Sequence, residues 1–228
     1  HQEGIMSFEL FESFKEMSLK EWILWGVMLL LFVALIVFLV RRSKKKPAAA
    51  PQKGFDTRAL VYGALCMALS FVLSYLRIVR MPQGGSITIA SMLPIIVYAY
   101  WYGPGKGIIV GVAYALLQMI QDAYFVHPIQ ILFDYILAFG ALGLAGFFKK
   151  NLYVGTVVAG LVRFVMHFLS GAIFFGEYAP AGVSPFIYSL GYQAEYLIPD
   201  IVICIVAAVL LKSTIDRLNP NKPAVKAA

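Results

Sequence analysis

Residues 128–148 read PIQILFDYILAFGALGLAGFF and carry one charged side chain, Asp134. A helix needs about 20 mostly apolar residues to cross the hydrocarbon core of a bilayer. An ionisable residue inside such a run is costly, and in membrane proteins it usually faces a partner, a substrate or a water-filled path. The stretch therefore predicts a membrane-spanning helix that carries a functional carboxylate.

The rest of the chain has the same character, with 61% hydrophobic and 14% charged residues in a total of 228. Soluble domains are nearer half apolar and a quarter charged. Six further apolar runs cover residues 22–40, 59–76, 87–102, 107–121, 154–175 and 188–211. We therefore predict an all-α integral membrane protein, in which one extra N-terminal transmembrane helix precedes a six-helix bundle. Pro94 is expected to kink the run 87–102.

Basic residues set the predicted topology. With the cluster that follows residue 40 placed inside, fourteen Lys and Arg residues fall on that side and four on the other, while Arg163 lies within a span. Cytoplasmic loops carry the excess of Lys and Arg, so we predict the N-terminus outside and the C-terminus in the cytoplasm. The predicted segments are an extracellular segment 1–21, the extra transmembrane helix 22–40, a basic cytoplasmic linker 41–56, a six-helix substrate-binding membrane domain 57–212 and a cytoplasmic tail 213–228.

Polar side chains interrupt the predicted helices toward their outer ends. His127, Gln130 and Asp134 are spaced i, i+3 and i+7, which predicts one helical face. Arg163 and His167 are spaced i, i+4 in the next helix. Gly171 continues the row of Arg163 and His167. The other polar residues are Gln118 and Asp122 in the third helix of the bundle, and Tyr188, Tyr192, Gln193, Glu195, Tyr196 and Asp200 in the sixth.

Carboxylate, imidazole, amide and aromatic groups beneath outward loops suit a flat, hydrogen-bonding ligand, and aromatic faces also attract a cation. Two plainer interpretations compete with a binding pocket. Asp134 and Arg163 would form a buried pair that only joins two helices, and the tyrosines would form an interfacial belt.

The sequence lacks the motifs of catalysis and of ATP binding. It contains no Walker A loop, no HExxH and no GxSxG. Cys66 and Cys204 stand alone in apolar runs, which predicts neither a metal site nor a disulfide. We therefore expect no enzyme activity, no cofactor, no metal and no nucleic-acid partner, and any active transport must draw its energy from a partner or an ion gradient.

Four segments resemble the ThiT family, the thiamine-specific S components of energy-coupling factor (ECF) transporters. They are MPQGGSITIASMLPI (81–95), HPIQILFDYILAFGALGLAGFF (127–148), RFVMHFLSGAIFFGEYAPAG (163–182) and YSLGYQAEYLIP (188–199). The resemblance covers about residues 57–212. It implies the six-helix S-component fold in a bacterial plasma membrane, with a thiamine pocket that opens outward.

The resemblance also implies a set of binding residues. Asp134 matches the family's pocket acid, and Tyr135 lies beside it. The other implied positions are Arg163, His167, Gly171, Phe175, Tyr188 and Tyr124, with Gln130 added from the polar pattern, and a lid-like loop formed by Gln83, Gly84, Gly85 and Ser86.

This chain departs from the family at a few of these positions. Gln193 stands where the family usually has Asn, and Phe175 stands where some members have Trp. Some members have Glu where this chain has Asp134. A longer amide and a smaller ring keep a second hypothesis open, in which the same fold binds a thiamine precursor or analogue.

S components also resemble one another in how they dock, through small residues on the first helix of the bundle. Ala64 and Ala68 are spaced i, i+4 and fit this pattern, because small residues let helices approach closely. The implied partners are a transmembrane coupling subunit and two ATPase subunits. Ordinary packing within the chain would explain the same two alanines, and a membrane scaffold without a transported ligand is a third hypothesis.

Overall fold

The computed structural model describes residues 56–122, 124 and 127–221. The predicted helix 22–40, the segments that flank it and the end of the tail lie outside these residues. Each of the six apolar runs of the predicted bundle contains a helix. The helices are α1 (Thr57–Tyr75), α2 (Leu93–Tyr102), α3 (Pro104–Gln121), α4 (residues 128–147), α5 (Leu152–Phe174), α6 (Pro185–Leu210) and the short α7 (Lys212–Arg217), and a hairpin of β1 (Arg77–Arg80) and β2 (Ser86–Thr88) separates α1 from α2.

Two compact units make up the described residues. One is Phe168–Tyr192, and the other comprises residues 56–167 and 193–221.

Helix α1 begins at a side-chain cap and buries only a narrow stripe. The Asp56 carboxylate accepts a hydrogen bond from the Ala59 backbone N–H at 2.8 Å, which satisfies one of the free donors of the first turn. Its buried residues are small and recur every three or four positions: Ala59, Gly63, Cys66, Ser70 and Ser74. The opposite face is apolar and exposed, as expected for a helix that meets lipid or another helix in the membrane.

The hairpin corrects the predicted start of the second span. The run 87–102 was expected to be one helix kinked at Pro94, but residues Ser86–Thr88 form strand β2, which pairs antiparallel with β1, and α2 begins only at Leu93. Pro94 lies in the first turn of α2, where its missing N–H would have no helical partner in any case. The prediction of a kink at Pro94 is therefore wrong.

Close contacts between glycines and backbone hold α2, α3 and α4 together. A Cβ added at Gly143 of α4 would lie 2.2 Å from the Ile108 backbone nitrogen of α3. A Cβ added at Gly111 would lie 2.4 Å from the Phe139 carbonyl oxygen. Small residues at such crossings let two backbones approach, which is the main source of helix association where lipid removes the hydrophobic driving force.

Helix α4 changes its winding along its length. It starts as an α-helical turn at Pro128–Ile131, continues as a π-helical segment at Leu132–Leu137, returns to α-helix at Ala138–Gly140 and ends as a 3₁₀-helix at Ala141–Phe147. π-helical segments are rare and are frequently found at functional sites. The predicted acid, Asp134, lies inside this segment.

Beyond α6 the chain packs back against the end of α2. Ile215 of α7 is buried, and Asn221 donates a hydrogen bond to the Trp101 carbonyl oxygen at 2.7 Å. Lys212 bonds to Asp216 on the next turn of α7, and this bond raises the pKa of the lysine. The start of the predicted tail therefore packs against the end of α2.

Three of the described helices, α1, α5 and α6, are long and apolar enough to cross a membrane by themselves. Helix α2 and the Leu132–Phe147 part of α4 are apolar but shorter. Residues 89–92 carry the chain from β2 into α2, and the last three of them are buried. Most of this irregular backbone is therefore covered by protein, as the absence of water in a bilayer requires.

Candidate functional site

Three of the predicted residues form a hydrogen-bonded row in the larger unit. The His167 Nδ1 atom of α5 lies 2.9 Å from Oδ1 of Asp134 in α4. One turn before His167, Arg163 donates from Nε to the His167 Nε2 atom at 3.2 Å. The imidazole therefore stands between the guanidinium and the carboxylate, which contradicts the competing interpretation of a direct pair between Asp134 and Arg163.

The direction of these bonds fixes the tautomer of His167. An Arg Nε–H group can only donate, so His167 Nε2 must accept and carries no proton. The remaining ring proton is on Nδ1 and is donated to Asp134. A neutral imidazole thus orients the carboxylate without neutralising its charge.

Gln130 supports the same carboxylate from within α4. Its Nε2 donates to Asp134 Oδ2 at 2.9 Å and to the Tyr124 carbonyl oxygen at 2.9 Å. The side chain is 2% exposed, so these bonds are shielded from water. The predicted face of Gln130 and Asp134 is confirmed, but His127 precedes the helix, which begins at Pro128.

Tyr135 restrains the loop before α4. Its hydroxyl accepts from the Tyr124 backbone N–H at 3.1 Å and donates to the Asp122 carbonyl oxygen at 3.4 Å. Both backbone groups of Tyr124 are therefore held by side chains of α4. This role differs from direct ligand contact, which remains a prediction for Tyr124 and Tyr135.

Tyr196 of α6 connects the row to the hairpin. Its ring meets the His167 ring edge-on, with centroids 6.3 Å apart. A Cβ added at Gly85 would lie 2.7 Å from the Tyr196 ring, so the turn rests directly on it. Gly84 and Gly85 have φ angles of 85° and 86°, which glycine adopts at little cost. The predicted lid-like loop is thus the turn of a hairpin, and Ser86 already belongs to β2.

Gln193 presents a buried amide oxygen. The residue is 7% exposed, and its Oε1 has no hydrogen-bond partner within the described part of the chain. An unpaired buried acceptor costs about 1–3 kcal/mol. A ligand donor would satisfy it.

The remaining predicted binding residues belong to the smaller unit. Within it, the Phe175 backbone N–H donates to the Gly171 carbonyl oxygen at 3.1 Å, the Phe175 and Tyr178 rings lie 6.1 Å apart, and the Tyr188 and Tyr192 rings lie 6.0 Å apart. A shared pocket of Gly171, Phe175 and Tyr188 with Asp134 stays a prediction.

Two of the polar residues predicted from the sequence lie elsewhere. Gln118 bonds to the hydroxyls of Ser74 and Tyr114 at 3.1 and 2.9 Å, which ties α3 to α1. Asp122 pairs with Arg77 of β1 at 2.5 Å and with Arg80 at 2.9 Å. Gln118 thus joins α3 to α1 and Asp122 joins α3 to the hairpin, and neither adds to the row at Asp134.

The structure also adds Phe139, which sequence reasoning missed. The Arg163 guanidinium carbon lies 4.4 Å from the Phe139 ring centroid, a cation–π contact. Phe139 is five positions after Asp134, a spacing that an α-helical pattern places on another face but a π-helical turn brings round. Among the described residues, no group of three His, Cys, Asp or Glu side chains could hold a metal ion.

An all-α fold with apolar helices and a buried row of carboxylate, imidazole and guanidinium defines an integral membrane protein with an internal polar site. Comparison with known proteins gives the family. Residues 60–220 match the family described as thiamine transporter protein (Thia_YuaJ), and the chain belongs to this family.

Two curated relatives are similar over most of their length. The thiamine transporter ThiT of Bacillus subtilis (strain 168) is 39% identical over 155 residues, which are 60% of this chain and 80% of the relative. The thiamine transporter ThiT of Lacticaseibacillus paracasei is 26% identical over 148 residues, which are 58% of this chain and 72% of the relative.

A solved structure has the same fold. ThiT from Listeria monocytogenes aligns with a TM-score of 0.63 and 22% sequence identity, over 71% of this chain and 96% of that chain.

Proposed function

We propose that this protein binds thiamine from the outside of a bacterial plasma membrane and is the substrate-binding component of an ECF-type importer. The observation that carries the proposal is the oriented Asp134 carboxylate in a chain of the thiamine transporter family. Thiamine combines a cationic thiazolium ring with an aminopyrimidine, so it needs an anion, hydrogen-bonding groups and ring contacts.

The described residues offer these groups. Asp134 is held by His167 and Gln130 but is still partly exposed, with 15% of its side-chain surface accessible. A carboxylate oxygen can accept more than one hydrogen bond, so it can also receive an exocyclic amine or face a cationic ring. Gln193 Oε1 is a second acceptor, and Tyr196 supplies an aromatic ring next to His167.

Calorimetry on purified protein in detergent tests this function, with thiamine and its isolated pyrimidine fragment as ligands. Tight thiamine binding with much weaker fragment binding is expected, because the fragment lacks the cationic ring. Asp134→Asn should weaken thiamine binding by about a hundredfold, since a hydrogen bond to a charged group contributes about 1.5–3 kcal/mol. Glu177→Gln is the matched control, because it removes the same charge from an exposed position.

A folded protein that does not bind thiamine would contradict the proposal. Tight binding of the pyrimidine fragment or another analogue instead would favour the second hypothesis, for which Gln193 and Phe175 are the motivation.

The coupling partners are proposed to dock on the exposed face of α1. Ala64 and Ala68 are exposed there, and between and beyond them lie the exposed side chains of Leu65 and Leu69. Two alanines one turn apart leave a shallow path into which an apolar helix of the coupling subunit fits, since small residues allow close helix approach.

Co-purification with a coupling subunit and its ATPases tests this surface. Ala64→Phe with Ala68→Phe should abolish the complex and leave thiamine binding intact, because α1 does not contribute to the row at Asp134. Val206→Phe, on the exposed face of α6, is the control for added bulk in the membrane. An unchanged complex in the double variant would exclude α1 as the docking helix.

A further inference from the structure

A buried carboxylate joins strand β2 to helix α6. Oδ1 of Asp200 accepts from the Thr88 backbone N–H at 3.0 Å and from the Thr88 hydroxyl at 2.9 Å. The Thr88 hydroxyl also lies 2.7 Å from that of Ser91. Asp200 and Thr88 are 2% and 4% exposed, so water does not compete for these bonds.

The same stretch of α6 contacts both ends of the hairpin's second strand. Asp200 holds Thr88 at the inner end of β2, and Tyr196, one helical turn earlier, lies against Gly85 just before β2 begins. Because residues 86–88 are extended, their position at one end fixes the position of the turn at the other. Tyr196 in turn meets His167, whose Nδ1 holds Asp134.

We propose that Asp200 is a positioning residue that holds the turn Gln83–Gly85 against Tyr196 and thereby slows the escape of ligand bound at Asp134. This inference rests on the proposed function for the ligand but not for the position of the hairpin. Asp200 accepts hydrogen bonds from Thr88 of β2 and makes none to Asp134, His167 or Arg163, and it interacts with Arg163 only through its charge.

Two substitutions at Asp200 distinguish the effect of its hydrogen bonds from the effect of filling its site. Asp200→Asn keeps a carbonyl oxygen that can accept from Thr88, whereas Asp200→Leu keeps the branching at Cγ and the number of side-chain heavy atoms but has no acceptor. Radiolabelled thiamine is bound to purified protein and chased with unlabelled thiamine, and association is measured separately. Asp200→Leu should raise the dissociation rate about tenfold or more without slowing association, since loss of the Thr88 bonds amounts to at least about one factor of ten.

Asp200→Asn should stay within about threefold of the parent rate, because the remaining oxygen restores most of the interaction. A purely structural role predicts another result: lower thermal stability of Asp200→Leu with an unchanged dissociation rate from the folded fraction. That result would overturn the proposal.

A second measurement needs no ligand. A nitroxide is attached at Pro82→Cys, an exposed position at the start of the turn, in a background with Cys66→Ala and Cys204→Ala. Asp200→Leu should increase the mobility of the nitroxide, and Asp200→Asn should not. Equal mobility in all three proteins would overturn the proposal.

The two measurements also distinguish this inference from the proposed function. If the parent protein binds no thiamine but Asp200→Leu increases the mobility of the nitroxide, the proposed ligand is wrong. The inference that Asp200 holds the turn Gln83–Gly85 would then still be supported. If thiamine binds, and Asp200→Leu changes neither the dissociation rate of thiamine nor the mobility of the nitroxide, the proposed function is supported. The positioning role of Asp200 would then be wrong.

Discussion

His167 has two ring nitrogens with different tasks, one that donates to Asp134 and one that accepts from Arg163. Because Asp134 is the proposed partner of the cationic ligand, the bond from Nδ1 should matter more for binding than the bond to Nε2. Asn and Gln side chains imitate the two nitrogens separately, since their amide groups reach about as far as Nδ1 and Nε2.

His167→Asn should therefore bind thiamine more tightly than His167→Gln. We expect a loss of about tenfold for His167→Asn and about a hundredfold for His167→Gln, in line with one charged hydrogen bond kept or lost. Calorimetry on both variants measures the difference. The reverse order would mean that Arg163, rather than Asp134, is the group that His167 must hold.

Gln193 predicts opposite effects on stability and on binding. Its buried Oε1 lacks a partner among the described residues, so Gln193→Leu removes an unsatisfied acceptor and should leave the unliganded protein as stable as the parent or more so. Thiamine affinity should fall by about tenfold or more, because the ligand loses an acceptor. Thermal unfolding with and without thiamine measures both, and a parallel loss of stability and affinity would make Gln193 a packing residue.

At the residue scale, the sequence predicted the chemical groups but not how they pair. Asp134, Arg163 and His167 were identified because charged and imidazole groups in apolar runs are expensive. Their order in space could not be read from spacing, since it depends on how α4 and α5 approach each other. Phe139 was missed because it lies five positions from the acid.

Among the elements, the contact between α3 and α4 tolerates no side chain at its glycines. Gly143→Ala should destabilise the protein by about 2 kcal/mol or more, because the new methyl group meets the backbone of Ile108 and forces the two helices apart. Gly191→Ala is the matched control, since a Cβ there meets nothing within 4 Å. In α6 that change should stabilise by about 0.5–1 kcal/mol through the lower flexibility of alanine.

Unfolding of both variants in the same detergent gives the comparison. Equal effects of the two substitutions would show that glycine acts here through helix propensity and not through close packing.

Gly85 of the hairpin turn and Gly182 of the loop between α5 and α6 form a second matched pair of glycines. Gly85 and Gly182 have nearly equal positive φ angles, 86° and 82°, but only Gly85 lies against another side chain. Both alanine variants carry the same backbone strain, and Gly85→Ala alone pushes the turn away from Tyr196. Thiamine should dissociate faster from Gly85→Ala and at the parent rate from Gly182→Ala. Equal dissociation rates would deny the turn any part in retaining the ligand.

At the scale of the elements, the lengths of the apolar runs predicted the helices, and the ends observed in the structure differ from the predicted ends by a few residues. The hairpin was not predicted, because residues Ile87, Thr88 and Ile89 continue the apolar run that leads into α2. Besides the pairing with β1, the hydrogen bonds from Thr88 to Asp200, 112 positions away, hold these residues in an extended conformation. A contact so distant leaves no local signal in the sequence.

At the scale of the whole molecule, we expect the loops rich in Lys and Arg to lie in the cytoplasm and the other loops to lie outside. A cysteine at Glu177, an exposed position in the loop between α5 and α6, should react with a membrane-impermeant maleimide in intact cells. A cysteine at Lys150, exposed in the loop before α5, should react only after the membrane is permeabilised. The native Cys66 and Cys204 are buried and should remain silent. Labelling of Lys150→Cys in intact cells would reverse the proposed orientation.

At this scale, composition and the distribution of charge were enough to predict a membrane protein, and the resemblance of four segments was enough to predict the family. The geometry of the ligand pocket could not be predicted in this way, because its predicted residues belong to both units of the structure. Rings such as Phe175 and Tyr188 belong to the smaller unit, and their distance from Asp134 is a tertiary property that no spacing along the chain encodes.

The π-helical segment of α4 gives the chain a place where one residue can be lost while the helix packing is kept. In a π-helical turn the hydrogen bond spans five residues, whereas in an α-helical turn it spans four. The extra residue therefore fits into the helix while the residues before and after it keep nearly the orientation that they would have in an uninterrupted α-helix. Deleting one residue from Leu132–Leu137 should let this segment relax to an α-helix, with the glycines beyond it still facing α3. The length of the segment can therefore change without loss of the fold, whereas Asp134 within it cannot be exchanged without loss of the proposed binding site.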